Sequence, residues 1–174
     1  MFIIVSGLPG SGKTTLGRQL AERTHLPFID KDLILEALFD SLGVGDHTWR
    51  SRLSRAADEI LLSTAREAFG AVLVNWWHRD WAARHLPGLG PLVEVHCRCP
   101  AETAADRFRR RRRHPGHLDP ALTDEEFADR VTTIRASYRG PLDLGGPVLT
   151  VDTTRPVDIA LLMPELRTLL TTVP

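Results

Sequence analysis

Lysine is nearly missing from this chain: of its 22 basic side chains only Lys13 and Lys31 are lysines, and the rest are arginines. A coding bias toward arginine accounts for the general pattern. Against that background, a retained lysine marks a place where a compact point charge is wanted rather than a planar fork. Net charge is lacking too, since 22 acidic groups cancel the basic ones. No global field therefore draws the chain to nucleic acid or to a membrane surface. Long apolar runs are absent, and the N-terminal run from Phe2 to Val5 is too short for a membrane span or a signal-peptide core. Cysteine is limited to Cys97 and Cys99. Two residues apart in a strand-like stretch, they are poorly placed for a mutual disulfide. The run His96-Cys-Arg-Cys99 finds no second ligand pair elsewhere to complete a metal site, so buried thiols are expected. Repeats and linkers are missing as well. With 174 residues, 43% of them hydrophobic, the expectation is one domain over 1–174, in a reducing cytoplasm and without a membrane partner.

What is present begins at the second residue. An apolar stretch, Phe2-Ile-Ile-Val5, runs into Ser6-Gly-Leu-Pro-Gly-Ser-Gly-Lys-Thr-Thr15, and helix-forming residues follow at once. Gly7, Gly12, Lys13 and Thr14 fit the phosphate-loop pattern, glycine, four residues, then Gly-Lys-Ser/Thr. Glycines let the backbone curl until several N–H groups face one anion. Lys13 is then expected to reach the β and γ phosphates, and the Thr14 hydroxyl to ligate Mg²⁺. The helix opening near Lys13 adds its positive end. Gly7, Leu8, Pro9, Gly10, Ser11, Gly12, Lys13, Thr14 and Thr15 are thus the candidate nucleotide-phosphate site.

Further on, strand-like and helix-like segments alternate. Strands are expected at 26–29, 71–74, 92–97 and 148–151. Helices are expected at 33–42, 49–69, 81–85, 100–113, 123–138 and 157–170, with Gly70 ending the long second one. Residues 114–120 read as a mobile loop. Alternation of this kind gives a parallel sheet covered on both faces, with ligands at the carboxyl ends of the strands. Asp30 and Asp32 follow strand two and Asn75 to His78 follow strand three, on the same edge as the phosphate loop. If Asp30-Lys-Asp32 stays extended, its two carboxylates share a side. One of the two is then a candidate to help hold Mg²⁺ through water, and the other to take the proton of an attacking hydroxyl. Asp32 also stands where a helix cap would.

These motifs resemble the small P-loop kinases related to chloramphenicol, shikimate and gluconate kinases and the zeta toxins. The resemblance rests on Gly7-Leu-Pro-Gly-Ser-Gly-Lys-Thr14, Asp30-Lys-Asp32, Val95-His-Cys-Arg-Cys-Pro-Ala-Glu102 and the arginines from Arg107. It implies an α/β P-loop NTPase fold of the nucleoside-monophosphate-kinase type: a five-stranded parallel sheet in the order 2-3-1-4-5, helices on both faces, and a small helical lid at about 107–125. It implies ATP and Mg²⁺, with Lys13, Asp32 and Arg111 in the chemistry, Thr14 and Asp30 toward the metal, Arg107 and Arg111 on ATP, and Arg155 and Pro156 beside the adenine. One departure stands out: where many P-loop enzymes end strand three in a metal-holding aspartate, this chain has Asn75.

Trp76, Trp77 and Trp81 crowd the end of strand three, where the resemblance puts the acceptor. Trp76 and Trp77, with His78 and Arg79 as polar handles and Asp32 beside them, are the candidate acceptor residues. His114 and His117 are expected to be structural. The run from Arg109 to Arg113, read as helical, would sweep right round its helix, so one lid arginine rather than the block is expected on ATP. The sequence thus predicts an ATP-dependent kinase acting on a hydroxyl of a small molecule, nucleic acid being a disfavoured partner. Two alternatives stand beside it: a kinase of nucleosides, nucleotides or nucleic-acid 5′-hydroxyls, and a non-catalytic ATP-binding regulator, to which Asn75 points.

Overall fold

The apolar stretch at the N-terminus is the middle strand of a sheet. In the computed structural model, which describes residues 1–118 and 122–172, β1 (Phe2–Gly7) lies between β3 (Ala71–Val74) and β4 (Leu92–Arg98). β2 (Phe28–Asp30) and β5 (Val148–Asp152) form the edges, and every pairing is parallel, in the order β2-β3-β1-β4-β5. The expected topology is the one observed. Alternation along β1 explains the layering. Ile3 and Val5 face one core with Leu16 and Leu20 of α1 (Lys13–Thr24) and Leu166 of α7 (Ile159–Thr172). Phe2 and Ile4 face the other, with Leu61 and Ala65 of α3 (His47–Glu67) and Ala82 of α4 (Arg79–His85). A strand covered on both faces needs apolar residues at every position, hence the unbroken run.

Three further helices complete the frame. α2 (Lys31–Leu42) packs on α3 through Leu35, Phe39, Leu53 and Ala57. α5 (Ala101–Arg110) and α6 (Asp124–Ser137) follow β4, and α6 opens on the anticipated Thr123/Glu126 capping box. Both cysteines are free and buried. Among the described residues no helix is long and apolar enough to cross a membrane.

Some local expectations change. α3 ends at Glu67 with Ala68 as its C-cap, so Gly70 is not a helix stop. It is a place of close approach: a Cβ there would sit 2.3 Å from the Met1 carbonyl oxygen. The expected loop at 114–120 is packed over its described part. His114 stacks on Phe39 at 5.4 Å and His117 meets the same ring edge-on; Asp119 and Pro120 lie outside the described residues. α5 stops at Arg110 instead of running to Arg113, and Arg111 is already extended (φ −77°, ψ 138°).

Candidate active site

The loop between β1 and α1 is shaped by its glycines. Gly10 has φ +78°, and a Cβ on it would lie 2.1 Å from the Ala104 carbonyl oxygen. That close packing on α5 admits only glycine. Gly12, also left-handed at φ 95°, caps α1 without a side-chain hydrogen bond. The first N–H groups of the helix therefore point outward as anion donors. Leu8 anchors the loop in a small cluster with Cys99 and Ala104. Ser11 is fully buried, while Pro9, Gly10, Gly12, Thr14 and Thr15 face a cavity.

Lys13 lies along the loop, its ammonium donating to the carbonyls of Gly7 (3.1 Å) and Leu8 (2.8 Å). Burial pulls its pKa down to about 8. Next to it, the Thr14 hydroxyl donates to Asp30 Oδ2 at 2.9 Å. Asp30, not Asp32, is the N-cap of α2, its Oδ1 accepting the Asp32 N–H at 2.9 Å. The expected extended Asp30-Lys-Asp32 is thus a cap and a first helical turn, yet both carboxylates still line one cavity. Asp30 is 3% exposed, and burial raises its pKa against its two hydrogen bonds. For Asp32 burial also pushes upward, but the charges of Arg113, His117, Arg111 and Lys31 outweigh it and hold the carboxyl below its usual range.

The arginine run acts through its break. Because the helix ends at Arg110, alternation in the extended residues beyond puts Arg111 and Arg113 on one side. Both reach Asp32 Oδ2, Arg113 at 2.7 Å and Arg111 at 3.4 Å. With Arg130 of α6 they crowd the Phe108 ring at 5.4–5.6 Å, a cation–π hub. The remaining helical members turn elsewhere: Arg109 pairs with Asp124, and Arg110 with Asp106 at 3.0 Å. Arg107 ties α5 to the segment after β5, donating to the carbonyls of Thr153 (2.8 Å) and Thr154 (2.6 Å). Arg155 and Pro156 follow as exposed residues and do not line the cavity.

The end of β3 divides. Trp76 and His78 line the cavity. Trp77 does not: it is 7% exposed, its indole N–H donates to the Val5 carbonyl at 2.9 Å, and its ring stacks on Trp81. Alternation after the strand sends it into the core. Arg79 also points away, gripping the segment after α6 through the carbonyls of Leu142 (2.8 Å), Arg139 (3.2 Å) and Pro141. Asn75 is buried, and its amide donates to Asp58 Oδ1 of α3 at 3.0 Å.

The lining residues surround one cavity of about 770 Å³ at the carboxyl ends of β1, β2 and β3. Its far wall was not foreseen. Arg50, Ser54 and Asp58, spaced four apart on α3, all face it, as does Lys31. The signal was faint but present: a polar row at i, i+4 and i+8 running directly beside the apolar row Leu53, Ala57 and Leu61 on the same helix. Arg113 was likewise passed over in favour of Arg111.

Comparison with known proteins supports one reading of this geometry. The AAA domain family matches over residues 2–133. A crystal structure from Chloroflexus aurantiacus J-10-fl, whose protein carries a provisional kinase assignment, superposes with a TM-score of 0.82 at 32% identity, over 96% of each chain. Shikimate kinase of Actinobacillus succinogenes is 30% identical over 154 residues, 80% of this chain and 78% of that protein. A shorter stretch of 30 residues is 67% identical to shikimate kinase of Paracidovorax citrulli, and spans only 16% of that protein. The chain belongs to the AAA domain family and, within it, to the small P-loop kinases, ATP-dependent phosphotransferases that act on a hydroxyl group of a small molecule.

Proposed function

We propose that the phosphate loop holds the ATP phosphates while Asp32 orients the acceptor hydroxyl, the two meeting in the cavity between α1, α2 and the arginines beyond α5. The observation that carries this is the convergence of Lys13, the Thr14–Asp30 pair, Asp32, Arg111 and Arg113 on that one cavity. The acceptor oxygen bonds to the γ phosphorus as the bond from phosphorus to the β–γ bridging oxygen breaks. ADP leaves, and the hydroxyl proton passes to Asp32. Since Asp32 is held acidic by its arginines, orientation is its larger contribution; positioning supplies about 7–11 kcal/mol in well-aligned reactions, against about 10²–10⁴-fold for a general base. Lys13, Arg111 and Arg113 meet the charge of the transferred group.

The Thr14 hydroxyl and Asp30 carboxylate are hard oxygen donors already in contact, a set that suits Mg²⁺. Bound there, the ion would neutralise charge on the β and γ oxygens. We assign residues 107–125 as a lid over the cavity, whose Asp119, Pro120 and Ala121 lie outside the described residues. Its closing would exclude water and suppress ATP hydrolysis. The whole of 1–174 is taken as one catalytic domain working in the cytoplasm.

Shikimate is the first acceptor to try, because relatives of that name align with most of this chain. An ATP-consumption screen over hydroxylated compounds, with mass spectrometry to place the phosphate, tests the reading. Transfer to a hydroxyl carbon is the expected result. ATP binding with no transfer to any compound would leave a nucleotide-binding regulator instead.

A further inference from the structure

Beside Asp32 the cavity carries a polar group that the transfer reaction itself does not use. Lys31, the first residue of α2, donates to Ser54 Oγ at 2.6 Å. Its ammonium also faces Asp58 Oδ2 across 3.9 Å, while Asp58 Oδ1 accepts the Asn75 amide at 3.0 Å. The four residues come from α2, α3 and the end of β3, and all line the cavity. They lie on the side away from Arg107 and the segment after β5, with Trp76 as a neighbouring aromatic wall.

The chemistry of this group is that of a reader of hydroxyls. Lys31 and Asp58 cancel in charge, so the group does not select for an ion. At 3.9 Å they are too far apart to hydrogen-bond, yet close enough that one oxygen can sit about 2.8 Å from each. Such an oxygen must accept from the ammonium and donate to the carboxylate. A hydroxyl does both; an ether or a fluorine only accepts. Asn75 and Ser54 fix the two partners, so the gap is held open by side chains that are themselves bonded. Burial, which lowers the Lys31 pKa, sharpens the contact by removing competing water.

Taking the kinase reading as given, we propose that Lys31, Ser54, Asp58 and Asn75 form an acceptor subsite that binds a second hydroxyl, distinct from the one phosphorylated. The acceptor is therefore a compound with two or more hydroxyl groups. In place of a carboxylate at the end of β3 the cavity has Asp58 of α3, which the neutral Asn75 holds for recognition.

The test uses the full-length protein and ATP with two sets of probes: shikimate, D-gluconate, D-glucose, myo-inositol and chloramphenicol, each with several hydroxyls, against benzyl alcohol, cyclohexanol and choline, each with one. Turnover is expected in the first set only. For the best acceptor, deoxy and O-methyl analogues at the non-phosphorylated hydroxyls are then compared. At one position both changes should raise KM at least about tenfold, in line with loss of a hydrogen bond to charged groups. Asp58→Asn should raise the acceptor KM similarly and abolish the difference between parent and analogue. Ser54→Ala, which releases Lys31, should give a smaller rise, and thermal melts of both variants check folding. Equal turnover of single-hydroxyl compounds, a methyl ether as good as its parent at every position, or an unchanged acceptor KM in Asp58→Asn would each overturn the subsite while leaving the kinase intact. ATP binding without transfer to any probe would remove the kinase reading itself, and the subsite with it.

Discussion

The two halves of the cavity are built from different materials. On the nucleotide side the donors are mostly backbone N–H groups at the start of α1, presented by glycines whose conformations are set within a few residues of chain. On the α3 side they are side chains from separate elements, Lys31, Ser54, Asp58, Asn75 and Trp76, brought together by packing of α2 on α3. A backbone site is hard to alter by point substitution and suits the invariant part of a reaction, the polyphosphate. A side-chain site can be re-specified one residue at a time, which suits an acceptor that differs between relatives. Lys13 on the first side and Asp32 on the second put charge, rather than shape, at the place where the two sides meet.

Substitutions at those two positions should break the comparison hardest. Lys13→Met removes the point charge from the loop, and transfer should fall by at least about a thousandfold, the upper range for losing one charge-stabilising donor. Single-turnover kinetics would read it; retention of a tenth of wild-type rate would remove Lys13 from the chemistry. Asp32→Asn is next, with an expected loss of about a hundredfold in kcat, the low end for a general base because its arginines already make it a weak one. ATP affinity should stay nearly intact. A variant with wild-type rate on the true acceptor would show that Asp32 neither takes the proton nor orients the hydroxyl.

A pH titration sharpens the contrast. In the free protein burial brings Lys13 to a pKa of about 8. ATP prefers the charged ammonium, so the complex has a higher pKa than the free protein. Affinity should therefore be full below about pH 8 and weaken above it, by up to about tenfold per unit until the pKa of the complex is reached. Calorimetry from pH 7 to 9.5 would show the bend, and Lys13→Met should lack it. On the α3 side burial lowers the Lys31 pKa as well, so acceptor binding is titrated in Lys13→Met, where any bend belongs to that side alone.

How far the sequence could be read follows the same division. The buried strands, the phosphate loop and the Thr123/Glu126 box were legible because each is local or carried by an unbroken apolar pattern, whereas the sheet order followed from the family resemblance. Trp77 and Arg79 were not. Whether a tryptophan after a strand lines a pocket or fills the core depends on a single residue of alternation past Val74, and Trp77 turned inward to bond Val5. The arginine run was misplaced because the stop at Arg110, unmarked by glycine or proline, decides which side Arg111 and Arg113 face. Asp58 carried only the faint signal of a polar row beside an apolar one, and its pairing with Asn75, 17 residues away, depends on the packing of α3 against the end of β3.

A third region belongs to neither half and couples the nucleotide side to α6. Ser6, just before the loop, donates to Glu94 Oε1 at 2.5 Å, so its oxygen accepts from His96 Nδ1 at 2.8 Å. His96 Nε2 is then left to accept from the Tyr138 hydroxyl at 2.6 Å, at the C-terminal end of α6. Glu94 also takes the Leu142 N–H on both oxygens. The chain works with a neutral imidazole, and burial, helped by the charge of Lys13, lowers the His96 pKa accordingly. Protonation therefore opposes this network, whose stabilisation is full above the ordinary histidine value of 6.5 and declines as pH falls below it. Tyr138→Phe keeps the ring stacked on His96 but removes the last donor. The expected cost is about 1 kcal/mol of stability, the smallest effect named here. Because Tyr138 ends the helix that carries Arg130 to the cavity, the rate should fall modestly while ATP affinity holds. Denaturant melts at pH 7.5, paired with ATP calorimetry, separate the two readouts: a variant that loses ATP affinity instead would place this network under the loop rather than under α6.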